Sequence, residues 1–524
     1  MLRTAIGQIP LSLAEKPVAC ASMSDDAKND KDEKKPDHEP PAGAETTATW
    51  GRGRKAIQYT ATGKWTVLRK KEKPAAEIFS VSYVAGDGDG ARPVTFVFNG
   101  GPGASSAYLH MGAVGPQRVD FPSDGTLPTL PAKLVENESS WLGFTDLVFV
   151  DPVGTGFSRV IEPEKKGDGK DGGGKPDDAP DPKEYFGYRR DLESLCEFMG
   201  RWLSENGRWG SPVFIAGESY GGYRVGRLAR MLQEAAGIGL NGAILISPAL
   251  EITGLAPTDY DVLGWVDRVP TMAAAAFHHG RSRAYRKGTS LEKVFRDAEN
   301  FATGDYASFL TRGASLPAKE RTRILTRLAD ITGLPLDVVL RGEGRVGILT
   351  FVRELLRDER TVLGLYDTTI TATDPFPDRD EFAWPDPTLS GISPAYTMAV
   401  NRMLRSEIGV ETDREYTLLS YEVNTAWKND VEHHAFAAPP GATDDFRYGM
   451  ALNPHMKAFI THGQYDLVTP YYASDRLRNL MRLDPQMADR LTVQHYGGGH
   501  MFYAWETSRH AFAAAIAAFV ADAV

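Results

Sequence analysis

The sequence predicts an α/β fold, a doubly wound and mostly parallel sheet interrupted by a helical insertion. Two observations point to it. Four short, almost wholly apolar runs, "VTFVFN" (94–99), "DLVFVD" (146–151), "PVFIAG" (212–217) and "AILIS" (243–247), have the character of buried parallel strands. Long amphipathic stretches separate the later ones, "YFGYRRDLESLCEFMGRWLSE" before Pro212 and "GYRVGRLARMLQEAAG" after Ser219.

In chain order, the first segment is not a core segment. "MLRTAIGQIPLSLAEKPVACAS" begins like an export signal, but Glu15 and Lys16 interrupt its apolar stretch, and "PVAC" resembles a lipoprotein cleavage site with Pro17 where Leu is wanted. The charged, Pro-rich run that follows has almost no apolar residues, so residues 1–50 are expected to be a disordered tether, a possible export remnant. From about Lys55 apolar and polar residues alternate, which predicts antiparallel hairpin strands with turns at Thr62-Gly63 and near Lys73-Pro74. The first half of the core is expected over 51–265, with a Gly/Asp/Lys-rich surface loop at 162–183. After Pro248 the alternation stops, and 266–441 reads as an inserted helical cap. The second half of the core, 442–524, resumes with "HMKAFITHGQYDLVTP", a strand "LTVQHY" and a terminal helix.

Composition narrows the function classes. The formal charge is 59 − 69 = −10 over 524 residues, which argues against a nucleic-acid partner. An apolar fraction of 42% belongs to a well-cored globular protein, and no apolar run approaches the roughly 18 residues of a membrane span. Cys20 and Cys196 are the only cysteines, too few and too differently placed for a disulfide framework or a cysteine metal site.

The chemistry centres on "FIAGESYGGYR" (214–224). An apolar strand, a Ser between small residues and a helical run together outline a nucleophile elbow at Ser219. A nucleophilic Ser needs a base, an acid that holds the base, and donors for an oxyanion. In α/β hydrolases these follow in the order Ser, Asp or Glu, His, and the chain offers Asp466 after "KAFITHG" and His500 in "GGGHMFY". His462 and His495 compete for the last role, but His495 falls inside a strand pattern and His462 precedes the loop. Oxyanion donors are expected from the backbone of Tyr220 and from "FNGGPGASS" (98–106), a Gly-rich loop leaving a strand. A phosphate-binding reading of that loop lacks the Lys-Ser/Thr pair it would need.

"NGGPGASS", "DPVGTGFS", "FIAGESYGGY", "GQYDLVTP" and "GGGHM" together resemble the serine carboxypeptidases, α/β hydrolases that remove C-terminal residues from peptides. The resemblance runs from about Phe96 to the C-terminus and is weakest in the insertion. It implies Ser219 as nucleophile, Asp466 as acid and His500 as base, with Gly101 and Tyr220 as oxyanion donors and no metal or cofactor. It also implies that Asn99 and Glu218 bind the carboxylate of a peptide substrate, that activity favours acid, and that the protein works outside the cytoplasm. A protonated Glu218 donates to that carboxylate, whereas a charged one repels it.

The chain departs from the family at several positions. Val97 stands where many relatives have Trp, and Ala113 where they have a second Glu that bonds the first. Ala104 and Thr469 occupy positions that are Cys in some members. Three other readings stay open on sequence grounds: a prolyl aminopeptidase-like enzyme with Glu218 holding an amine, an esterase or acyltransferase of the same fold, and a non-catalytic binding scaffold.

Overall fold

The computed structural model describes residues 38–86, 92–161, 183–379, 386–430 and 441–524. The possible export signal, Cys20 and the Gly/Asp/Lys-rich loop at 162–182 lie outside them. Three strands, β1 (Ala44–Trp50), β2 (Ile57–Lys70) and β3 (Lys73–Ala85), make an antiparallel meander. β4 (Val94–Phe98), β5 (Asp146–Val150), the short β6 (Arg159–Val160), β7 (Val213–Glu218), β8 (Gly242–Ile246), β9 (Lys457–Gly463) and β10 (Leu491–Tyr496) follow. They join in one ten-stranded sheet of order β1-β2-β3-β5-β4-β7-β8-β9-β10, with β6 paired to β3. From β5 to β10 every pairing is parallel, and the meander joins them through the antiparallel β3–β5 pair.

The apolar runs are strands because both faces of the parallel half are covered. Alternate residues of β4 go to opposite cores: Phe96 and Phe98 to one, Val97 to the other. β7 and β8 behave alike, with Phe214, Ala216, Ile244 and Ile246 on the side of Val97 and Ile215, Ala243 and Leu245 opposite. Helices Tyr188–Glu205 and Tyr220–Ala235 cover the face of Phe96, through Leu195, Phe198, Trp202 and Leu228. The terminal helix Glu506–Ala523 covers the other through Phe512, Ile516 and Phe519. Burying an aromatic side chain of this kind contributes about 1.5–3 kcal/mol.

Three expectations need correction. The segment expected to be disordered through residue 50 contains β1, whose seven residues pair with β2 from Ala44↔Gly63 to Trp50↔Ile57. Thr62-Gly63 is not a turn. Gly63 lies inside β2, paired to Ala44 on one side and Val81 on the other, and the chain reverses at Lys71-Glu72, both at positive φ. Residues 266–441 are not one helical unit. The part from Trp265 to Leu363 builds its own core, but helix Pro387–Arg402 buries Ile392, Tyr396 and Val400 in the same cluster as Val97 and Tyr108. Its apolar stripe faces the sheet, so it belongs to the wall of the sheet's own core.

Strand order reverses about β4, whose neighbours β5 and β7 lie on opposite sides of it. Such a reversal opens a crevice beyond the carboxyl ends of the strands. The loops leaving β4, β7, β9 and β10 carry Asn99, Ser219, Asp466 and His500 respectively.

Candidate active site

β7 ends at Glu218 and a helix starts at Tyr220, so Ser219 occupies the whole turn between them. Its backbone is at φ 62 and ψ −123, a strained conformation for a side chain-bearing residue. Surrounding bonds hold it there: Ser219 N donates to the Ile246 carbonyl at 3.0 Å, and its own carbonyl accepts from Gly222 N at 2.9 Å and Ala249 N at 3.0 Å. The turn is tight enough to dictate the glycines on either side. A Cβ on Gly217 would lie 2.2 Å from the Gly221 carbonyl oxygen, and one on Gly221 would lie 2.7 Å from that of Phe98. This is the physical content of the G-x-S-x-G spacing.

The loops after β9 and β10 bring a carboxylate and an imidazole together. His500 Nδ1 donates to Asp466 Oδ2 at 2.6 Å, and both side chains are buried. Asp466 Oδ1 also accepts from the N–H groups of Val468 at 2.8 Å and Thr469 at 3.1 Å. The Thr469 hydroxyl lies 2.6 Å from Asp466 Oδ2 and 3.0 Å from the Ser247 carbonyl, completing the carboxylate's surroundings. Burial alone would lower the His500 pKa, but the Asp466 carboxylate and its hydrogen bond, with Glu218 beside them, raise it above the ordinary imidazole value.

Glu218 is also buried, and its Oε1 lies 3.9 Å from His500 Nε2. Its Oε2 accepts from the Tyr503 hydroxyl at 2.6 Å. Asn99 Oδ1 accepts from Leu109 N at 3.0 Å, which turns the Asn99 amide N–H toward Glu218. Desolvation pushes the Glu218 carboxyl up to about 7, against the opposing pull of His500, Tyr503 and Asn99.

Asn99, Gly100, Gly101, Glu218, Ser219 and His500 line one recess open to solvent, of about 430 Å³, together with Tyr108, Tyr366 and Leu419. The Gly-rich loop lies hard against the helix start, since a Cβ on Gly100 would come within 2.4 Å of Tyr220 N. That N–H belongs to the first turn of a helix and has no acceptor within it. The Tyr220 ring points elsewhere, stacked on Tyr223 with its hydroxyl toward Asp191. Beneath the loop, Arg224 pairs with Asp191 at 2.8 Å and donates to the Asn99 carbonyl.

The fold thus gathers Ser219, His500, Glu218, Asn99 and Gly101 at one recess, with Asp466 bonded to His500 behind it and Tyr220 N beside the Gly-rich loop. The competing histidines are engaged elsewhere. His462 lies between the Thr469 carbonyl and the Ser474 hydroxyl, and His495 against Asp475. Sequence reasoning missed Tyr503, Arg224 with Asp191, and the Tyr366-Asp367 pair from the insertion. His500 N donates to the Tyr366 carbonyl at 2.5 Å, and Gly499 N to Asp367 Oδ2 at 2.9 Å. None of these carried a sequence signal of its own, since Tyr503 reads as a core aromatic and the others as ordinary loop or helix residues.

Residues 64–263 match the family model "Serine carboxypeptidase". That match covers 200 of the 524 residues and makes this stretch similar to the serine carboxypeptidases. The chain is 33% identical over 162 residues to serine carboxypeptidase-like 36 of Arabidopsis thaliana, covering 30% of this chain and 28% of the relative. To the pheromone-processing carboxypeptidase KEX1 of Saccharomyces cerevisiae S288c it is 35% identical over 150 residues, 28% of this chain and 18% of the relative. The alignments thus span less than a third of either curated relative. The crystal structure of Kex1(delta)p, a prohormone-processing carboxypeptidase from the same yeast, superposes with a TM-score of 0.53 at 16% identity, covering 88% of this chain and 92% of that one. The shared architecture is the α/β-hydrolase fold. Ala113 is buried and carries no carboxyl to meet Glu218, and the Tyr503 hydroxyl does so instead.

Proposed function

We propose that the protein is a serine carboxypeptidase that removes C-terminal residues from peptides through an acyl-enzyme on Ser219. The observation that carries this reading is the buried Glu218 carboxyl, held by Asn99 and Tyr503 beside Ser219 and pushed up to about 7. Below that pH the carboxyl is mostly neutral and donates to a substrate's terminal carboxylate, with Asn99 as a second donor. As pH rises through it, the charged form repels the same group.

In the reaction, Ser219 Oγ attacks the carbonyl carbon of the last peptide bond while His500 takes its proton. Asp466 keeps Nδ1–H directed and stabilises the imidazolium. The N–H groups of Gly101 and Tyr220 receive the charge on the carbonyl oxygen. Collapse of the adduct breaks the C–N bond, and His500 returns the proton to the leaving amino acid. Water, activated by His500, then hydrolyses the ester. An extracytoplasmic location accompanies this reading on the strength of the family alone.

The nucleophile is tested with a fluorophosphonate probe followed by peptide mapping. Label on Ser219, lost in Ser219→Ala and strongly slowed in His500→Ala, supports the reading. Absence of label from the folded wild type contradicts it and favours a binding scaffold.

A further inference from the structure

The hydroxyl on Glu218 comes from a residue outside the motifs. Tyr503 follows His500 in the turn Phe502–Ala504, just before the terminal helix, and its ring is fully buried. The ring lies against Gly112, where a Cβ would approach Tyr503 Cε2 to 2.6 Å. Gly112 and Ala113 are adjacent, so the tyrosine passes beside the place where the family resemblance puts a second Glu. A carboxylic acid there shares a proton with Glu218, and the pair resists losing it because two adjacent charges repel. A phenol does neither. It remains a neutral donor throughout the working range, since burial and the neighbouring Glu218 hold its pKa well above the ordinary value. A neutral donor stabilises the carboxylate form of Glu218 over the acid form.

We propose that Tyr503 is the positioning residue of the carboxylate clamp: its hydroxyl fixes the Glu218 carboxyl against Asn99 and sets the upper pH at which the site still takes a substrate's free C-terminal carboxylate.

This rests on the carboxypeptidase reading above. The groups that face Glu218 come from several elements. His500 and Asp466 lie on the loops after β10 and β9, Asn99 follows β4, Tyr108 lies in the turn Ala107–Leu109, and Tyr366 and Tyr396 come from the insertion. Arg509 approaches only the backbone carbonyl of Tyr503 and pairs with Glu138. Among these neighbours, Tyr503 and Asn99 are the neutral donors to Glu218. Removing the Tyr503 hydroxyl therefore favours the protonated acid, and binding of a free carboxylate persists to higher pH.

The test measures KM and kcat from pH 5 to 9 for Tyr503→Phe and wild type. One substrate is an N-acylated dipeptide, and the other is the same acyl group as an ester without a terminal carboxylate. For wild type, KM for the dipeptide rises above about pH 7 and KM for the ester does not. In Tyr503→Phe the rise moves upward by about one pH unit, the size expected for losing one hydrogen bond to a charged group. Maximal kcat stays within about three-fold, because the triad is untouched.

Glu218→Gln is the second variant, a permanently neutral partner. It abolishes the rise, and adding Tyr503→Phe to it moves nothing further. A wild-type rise that stays in place in Tyr503→Phe overturns the role of Tyr503 and leaves the carboxypeptidase reading intact. Equal losses on both substrates at every pH overturn it too, since they mark a structural role. If wild-type KM shows no preference for the free carboxylate at any pH, the carboxypeptidase reading itself fails.

Discussion

Asp367, from the inserted segment between β8 and β9, accepts a hydrogen bond from Gly499 N at 2.9 Å and so holds the residue next to His500. Its other oxygen accepts from the backbone and hydroxyl of Thr369, and the carboxyl is buried and pushed up to about 6 by desolvation, against those hydrogen bonds. Next to it, the Tyr366 carbonyl takes the N–H of His500 itself, and the Tyr366 ring sits edge-on to the imidazole at 5.2 Å. The insertion also reaches the Asp466 loop, where Thr368 N donates to Tyr465 O and Leu467 N to Leu365 O. One short stretch, Leu365–Thr368, therefore bonds to both loops that carry the proposed acid and base.

Asp367→Ala leaves the buried Gly499 N–H without its acceptor. The expected cost is about 1–3 kcal/mol of stability and a fall in kcat on the order of ten-fold, from a less well-aimed imidazole. Steady-state kinetics with a denaturant titration measures both. Wild-type kcat in the variant would show that the insertion does not position His500.

Thr469 is a second positioning group. Thr469→Val keeps the shape but removes the hydroxyl on Asp466 Oδ2, so kcat is expected to fall about ten-fold with KM nearly constant, and Thr469→Ser to retain most activity. A fall shared equally by the Ser variant would place the effect in packing around the methyl group.

The Arg224–Asp191 pair supports the Gly-rich loop from below, through the Asn99 carbonyl. Both side chains are buried, so Arg224→Ala strands the Asp191 charge, and the expected destabilisation is about 3–5 kcal/mol. Chemical denaturation reads it directly. An unchanged midpoint would mean that the pair does not hold the loop.

The pH dependence follows from two groups with opposite requirements. As the proposed base, His500 must be neutral, and its pKa stands above the ordinary imidazole value through Asp466 and Glu218, despite burial. Activity is therefore lost as pH falls through that raised value. In the proposed clamp Glu218 must be protonated to receive a carboxylate, and that ability is lost as pH rises through about 7. For free-carboxylate peptides, kcat/KM is expected to trace a narrow bell whose two limbs belong to the coupled pair. An ester without a carboxylate should lose only the alkaline limb. Matching profiles for both substrates would remove Glu218 from substrate binding.

The parallel half of the sheet and the Ser-Asp-His arrangement could be read from residues because each leaves a local trace. The strands are short apolar runs, and Gly217 and Gly221 mark the turn at Ser219. The supporting groups leave no such trace. Asp367 looks like any loop aspartate until folding brings it to Gly499, 132 positions along the chain. Tyr503 looks like a core aromatic, and the bond of its hydroxyl to Glu218 spans 285 positions. β1 was hidden for another reason: a polar strand such as "AETTATW" lacks a buried face, and its pairing partner β2 alone defines it.

The central claim, that Asn99 and Glu218 recognise a C-terminal carboxylate beside an acylated Ser219, is tested most directly by mass spectrometry of amino-acid release. A free peptide, its C-terminal amide and its N-acetylated form are incubated across pH 5 to 8, with Ser219→Ala as the control. The account predicts stepwise loss from the C-terminus of the free and acetylated peptides, weakening above about pH 7, with the amide spared. Cleavage of the amide but not of the acetylated peptide would contradict it, and would make Glu218 the anchor of a substrate's amine.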